Sequence, residues 1–136
     1  MIHDQYRKWR DLAKPFGLRA AIIHGGIEKP ERLRKLSATD IILMTPDVLH
    51  AWVMTELNNP IVSEFLRSIG LMILDEAHIY DGIFGTNMAF LIRRLRCHSC
   101  CDQIITSTAT IGNAQEFIKQ LTGIDAIIID NAQNGS

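Results

Sequence analysis

Residues 71–78 read Leu71-Met72-Ile73-Leu74-Asp75-Glu76-Ala77-His78: four apolar side chains in a row, then two carboxylates and, after one alanine, an imidazole. A strand that is apolar at every position, rather than at every second one, needs cover on both faces. A mostly parallel sheet flanked by helices gives it that cover. The same pattern recurs along the chain. Residues 18–24 are rich in Ala and Ile and run into Gly25-Gly26; Ile41–Met44 follows the turn-prone Ser37-Ala38-Thr39-Asp40; residues 103–107 and 126–129 are the remaining candidate strands. Helical periodicity fills the gaps, so strand and helix alternate and the fold class is α/β, with right-handed crossovers and function just beyond the carboxyl ends of the strands.

Several helices are legible from spacing alone. Ile2, Tyr6, Trp9, Leu12, Ala13 and Phe16 recur at three- and four-residue steps, which predicts a helix over 1–16 with one apolar stripe, closed with the help of Pro15 and Gly17. A second helix starts near Pro30. A third starts at Thr45-Pro46, with Val48, Leu49, Trp52, Val53 and Leu57 inward, and stops at Asn58-Asn59-Pro60. A fourth turns Phe84, Met88, Leu91, Ile92 and Leu95 inward. A fifth spans 113–121, with Asn113 and Glu116 in a capping-box pattern and Gly123 as its left-handed cap.

Composition bounds the function classes. With 136 residues, 47% apolar and 21% charged, the chain is a globular sequence of one ordinary domain and not a disordered tail. Its unbroken apolar runs are far shorter than the roughly 20 residues a membrane span needs, and its polar start does not resemble a secretory signal, so a cytoplasmic location is expected. The net charge is only −1, yet residues 1–36 hold nine basic and four acidic side chains. That excludes a protein coating nucleic acid with its whole surface and leaves room for a local phosphate-binding face. On pattern alone, solvated helix charge is the stronger reading of Arg7, Lys8, Arg10 and Lys14, and Arg93, Arg94 and Arg96 are read as a solvated face.

Two carboxylates at the end of a buried strand are costly unless something satisfies them. A hard divalent cation with phosphate oxygens would do so, because Mg²⁺ is held by one or two carboxylates while keeping several waters. The competing reading is that Asp75 caps the next turn and Glu76 points into solvent. A second hydroxyl-bearing stretch, Ser107-Thr108-Ala109-Thr110, ends strand 103–107 and should emerge on the same edge as the acids.

At this point the chain resembles the DEAD/DEAH-box helicases of superfamily 2, whose first RecA-like domain has a DEAH motif and a downstream Ser-Ala-Thr motif. Thr45-Pro46-Asp47-Val48-Leu49 resembles that family's motif Ib, and Gly25-Gly26 stands where relatives have a glycine pair. Residues 75–85 with Leu91-Ile92-Arg93-Arg94-Leu95 further resemble the mitomycin-repair-factor-like DEAH helicases, a DNA-repair group. The resemblance implies a three-layer RecA-like sheet with helices on both faces and a role in an ATP-dependent helicase, with ATP and Mg²⁺ as cofactors. It implies that Asp75 holds Mg²⁺ through water, that Glu76 polarises the attacking water, and that His78 couples hydrolysis to movement. Thr108 and Thr110 would supply hydroxyls to the DEAH residues. Gly25, Gly26, Thr45, Pro46 and Asp47 would hold nucleic acid, single-stranded DNA ahead of RNA, through phosphate and sugar without reading sequence.

The resemblance also marks what these residues lack. No Gly-x-x-x-x-Gly-Lys-Ser/Thr loop occurs in them, so the chain is expected to be the C-terminal portion, 1–136, of one RecA-like ATP-binding domain, incomplete at its N-terminal part. The loop's strand would lie between strands 103–107 and 126–129, and a second RecA-like domain would be a partner. By themselves the 136 residues are expected neither to hydrolyse ATP nor to unwind DNA, and to self-associate through exposed edges. Two alternatives stay open: a non-catalytic nucleic-acid-binding module of the same fold, and a different Mg²⁺-dependent phosphohydrolase, with Asp47, Asp81 or Asp102 converging on Asp75. Cys97-His98-Ser99-Cys100-Cys101 has no second ligand pair to complete a zinc site.

Overall fold

The computed structural model describes residues 1–129. They fall into two compact units, one from Met1 to Ser68 and a second that begins at Ile69. Each is an α/β assembly built on one pair of parallel strands.

In the first unit, α1 (Ile2–Ala13) leads through a short 3₁₀ turn to β1 (Ala20–Ile23), then α2 (Lys29–Ala38), β2 (Ile41–Met44), α3 (Pro46–Ala51) and α4 (Pro60–Ser68). β1 and β2 pair in parallel, with Ala20 opposite Ile41 and Ile23 opposite Met44. Such a pair needs a crossover, and α2 provides it. Ile23, Val53, Val62 and Leu66 are fully buried here, with Ala13, Leu36 and Trp52 around them.

Three sequence expectations change in this unit. The first helix closes at Ala13 rather than 16, because Lys14-Pro15-Phe16 tighten into a 3₁₀ turn capped by Gly17 at φ 69°. Leu12 and Phe16, expected on the buried stripe, are 63% and 79% exposed. The third helix ends at Ala51, and Val53–Thr55 forms a 3₁₀ turn instead of a further helical turn. The Asn58-Asn59-Pro60 cluster then starts a helix as well as ending one: the Asn59 side chain accepts the Ile61 N–H at 2.9 Å and Pro60 fills the first turn, which produces α4.

In the second unit, β3 (Leu71–Leu74), α5 (Gly82–His98), β4 (Gln103–Thr106) and α6 (Ala114–Thr122) repeat the arrangement. β3 and β4 are parallel, with Leu71 opposite Gln103 and Leu74 opposite Thr106. α5 and α6 pack against each other, and Met88, Leu91, Ile92 and Leu95 of α5 and Ile118 and Leu121 of α6 are buried. Phe84, expected inward, is 49% exposed.

The expected 126–129 strand is not formed. This stretch carries no strand pairing, Ile127 is 90% exposed, and a hydrogen bond from Gln115 Nε2 to the Ala126 carbonyl ties it to α6. The capping box is also absent, since the Asn113 side chain makes no cap hydrogen bond; Gly123 does take the left-handed conformation at φ 77°. Both faces of the β3–β4 pair were expected to be covered, yet Leu71, Ile73 and Ile105 on one face are 44%, 41% and 48% exposed. Two-stranded ladders expose more face than a wide sheet does, so uniform apolarity here coexists with an open side.

Candidate active site and nucleic-acid face

The acids and the hydroxyl-bearing stretch do converge. Beyond the ends of β3 and β4 the pairing continues: Ser107 N–H donates to the Leu74 carbonyl at 2.9 Å, and Ala77 N–H donates to the Ser107 carbonyl at 2.8 Å. The two strand tips are thereby zipped in register, which sets Asp75 beside Ser107. The Ser107 hydroxyl donates to Asp75 Oδ1 and accepts the Glu76 N–H at 3.1 Å. The Glu76 N–H also lies 3.1 Å from Asp75 Oδ1, so the turn-capping reading of Asp75 describes part of its bonding.

Glu76 sits at φ 53°, ψ 44°, the one non-glycine residue with positive φ among the described residues. For a residue with a Cβ this conformation costs about 1–2 kcal/mol. Strain of this kind persists where neighbouring contacts hold it, and here Ser107 holds the peptide on both sides of the residue. The left-handed turn reverses the chain into the short 3₁₀ turn Ala77–Ile79, with Ala77 fully buried. It leaves the Glu76 carboxylate half exposed, 3.3 Å from His78 Nε2. His78 Nδ1 accepts the Ala109 N–H at 3.0 Å. An imidazole accepting at Nδ1 carries its proton on Nε2, the nitrogen that faces Glu76. One imidazole thus bridges the acid pair and the Thr108-Ala109-Thr110 stretch.

The hydroxyl assignment moves by one residue. Thr108 was expected to bond to the DEAH residues, but its Oγ1 donates to the neighbouring Ala109 carbonyl at 3.2 Å. Thr110 is exposed. Ser107 makes the contact instead, because the parallel register carries Leu74 opposite Thr106 onward to Asp75 opposite Ser107. Counting both stretches from their strand ends would have found it.

Among the described residues no group of three or more His, Cys, Asp or Glu side chains could hold a metal ion. Cys97 and Cys100 are exposed and Cys101 is buried, its Sγ on the Gln103 carbonyl. Among the described residues, neither the Cys97-His98-Ser99-Cys100-Cys101 stretch nor the surroundings of Asp75 forms such a group. A Mg²⁺ ion bound chiefly by phosphates and water needs only the exposed carboxylate that Asp75 presents, so the residues fit that mode of binding.

In the first unit, the pairing of Ile23 with Met44 brings Gly25-Gly26 and Thr45-Pro46-Asp47 out at the same ends of adjacent strands. Gly25, Gly26 and Asp47 are exposed, Thr45 and Pro46 half-buried. Thr45 occupies the cap of α3 by its backbone, but its side chain makes no cap hydrogen bond. The expected solvated face on α5 is only partly so: Arg93 donates to the Gln120 carbonyl at 3.2 Å and Arg96 to the Thr122 carbonyl at 3.3 Å, where they satisfy the C-terminal carbonyls of α6.

The DEAD/DEAH box helicase family matches residues 1–117, which covers the glycine pair, Thr45-Pro46-Asp47, the acids and the hydroxyl stretch. The chain belongs to this family. It is 32% identical over 149 aligned residues to an uncharacterized ATP-dependent helicase of Methanocaldococcus jannaschii, with all of this chain and 21% of that protein covered. It is 33% identical to the uncharacterized ATP-dependent helicase YprA of Bacillus subtilis, with 96% of this chain and 18% of YprA covered. The crystal structure of the DUF1998 helicase MrfA bound to DNA and AMPPNP is similar at a TM-score of 0.83 and 26% identity, over 96% of this chain and 19% of that one. The finer resemblance to mitomycin-repair-factor-like helicases agrees with this match. As a DEAD/DEAH-box chain it spans about a fifth of the length of these relatives.

Proposed function

We propose that these residues are the C-terminal portion of a RecA-like ATP-binding domain in an ATP-dependent helicase that acts on DNA, with Asp75 and Glu76 at its hydrolytic centre. The observation that carries this reading is the bonded tip of β3 and β4, where Asp75, Glu76, Ser107 and His78 are tied into one cluster. MrfA bound to DNA and AMPPNP supports the choice of DNA and nucleotide.

Asp75 would hold Mg²⁺ through water, and a bound Mg²⁺ would neutralise charge on the nucleotide's phosphates. Ser107 fixes the Asp75 carboxylate, and the left-handed turn directs Glu76 away from the strand into solvent. There its carboxylate can accept a proton from a water molecule. His78 links Glu76 to the Ala109 backbone, so a shift in the Thr108-Ala109-Thr110 stretch is felt at the acid. In the first unit, Gly25-Gly26 and Thr45-Pro46-Asp47 form a surface for phosphate and sugar, which binds single strands without reading their sequence and weakens with salt.

The test is Glu76→Gln in a protein that carries these residues together with a glycine-rich phosphate loop. ATP turnover is expected to fall on the order of 10²-fold or more, with nucleotide affinity held within about threefold. Turnover equal to the parent's would overturn the assignment.

A further inference from the structure

Arg32, on the first turns of α2, is hydrogen-bonded to the glycine loop and lies over the ring of a buried tryptophan. Its Nε donates to the Ile27 carbonyl at 2.6 Å and its Nη2 to the Gly25 carbonyl at 3.0 Å. The guanidinium carbon lies 5.2 Å from the centre of the Trp52 ring, in cation–π range. Trp52 is 7% exposed, and its indole N–H has no hydrogen-bond partner among the described residues, so the ring surface is what the residue contributes. Trp52 follows directly on α3, the helix that opens with Thr45-Pro46-Asp47. A single side chain therefore connects the loop Gly25-Gly26-Ile27 to the far end of the other proposed nucleic-acid element.

We propose that Arg32 is a positioning residue: clamped against Trp52, it fixes the Gly25-Gly26 loop in the conformation that receives the nucleic-acid backbone. The inference rests on the nucleic-acid reading of the glycine pair given above. Two consecutive glycines have the largest backbone freedom to lose on binding, and neither Gly25 nor Gly26 has the positive φ that would itself require glycine. Local order in this loop comes from the His24 ring, which accepts the Gly26 N–H at 3.1 Å, from the His24 carbonyl, which accepts the Ile27 N–H at 3.1 Å, and from the two carbonyls held by Arg32. A loop already ordered loses less entropy when a phosphate backbone docks on it. The planar fork is needed for this arrangement. Lysine keeps the charge but lacks the planar fork that lets Nε and Nη2 reach two carbonyls at once.

The experiment compares Arg32→Lys and Arg32→Gln in the full 136-residue chain. Amide hydrogen exchange in the free protein is the first readout, and affinity for a fluorescent oligothymidylate is the second. Exchange at Gly26 and Ile27 is expected to rise about tenfold in both variants, with the β1 amides unchanged. Affinity is expected to fall about tenfold in both, although Lys keeps the positive charge. Parent-like oligonucleotide affinity in Arg32→Lys would overturn the proposal, since Arg32 would then serve as a charge and not as a clamp. Unchanged exchange at Gly26 and Ile27 would overturn it as well. So would loss of protection throughout β1 in both variants, because Arg32 would then hold the whole unit. If the parent chain itself fails to bind the oligonucleotide, the nucleic-acid reading falls, and the exchange data still decide whether Arg32 orders the loop.

Discussion

Ser107 and Thr108 are adjacent hydroxyls with different jobs. Ser107 bonds to Asp75 and to the Glu76 peptide across the strand tips, whereas among the described residues the Thr108 hydroxyl bonds to the next carbonyl. Ser107→Ala is expected to destabilise the chain by about 1 kcal/mol, and Thr108→Ala by less than about 0.5 kcal/mol; urea denaturation of the two variants side by side checks the order. Glu76 offers a second comparison. Alanine at this position keeps the left-handed penalty and glycine removes it, so Glu76→Gly is expected to be more stable than Glu76→Ala by about 1 kcal/mol. Equal stabilities would mean that the turn carries no strain. The conformation of Glu76 could not be read in the sequence, because nothing in Leu-Asp-Glu-Ala-His marks one acid for positive φ. The presence of the two acids at the end of an apolar strand could.

At the scale of elements, the strands and most helices were legible because apolar blocks and three-to-four periodicity survive without tertiary information, as Met88, Leu91, Ile92 and Leu95 on α5 show. What failed depended on partners. Phe84 and Leu12 fit the period but face solvent; α4 was hidden behind a proline cluster that also reads as a stop; and residues 126–129 have strand composition without a ladder to join. Gly85 is another case, ordinary in the sequence and constrained in the fold. A Cβ there would overlap the Tyr80 carbonyl, whose carbon lies 2.8 Å from that position. In an open helix Gly→Ala stabilises by about 1 kcal/mol. Here the obstacle is backbone that α5 and the preceding turn both fix, so the sign reverses. Gly85→Ala is expected to lower stability by about 1–3 kcal/mol, measured by thermal unfolding, and a stabilised variant would show that the Tyr80 turn yields freely.

At the scale of the molecule, the order of the family's landmarks was legible because each is a short run tied to a strand end, and residues 1–117 match the family as a whole. The division into two units, with one two-stranded ladder each, was not legible, since strand composition does not state which strands pair. The same residues also set a limit on chemistry. Asp75 and Glu76 are exposed, and the strength of their field on a nucleotide depends on excluding water and on donors that grip the phosphates. The 136 residues contain no Gly-x-x-x-x-Gly-Lys-Ser/Thr to supply those donors. For the purified 136-residue chain, DNA-stimulated ATP turnover is therefore expected to equal that of its own Glu76→Gln variant within assay error. In a protein that also carries the loop, the same pair should separate on the order of 10²-fold. A phosphate-release assay with both pairs measures this directly. A reproducible gap in the 136-residue pair would mean that its own amides and cations already cradle the nucleotide, and the phosphate grip would then have to be sought among the residues described above.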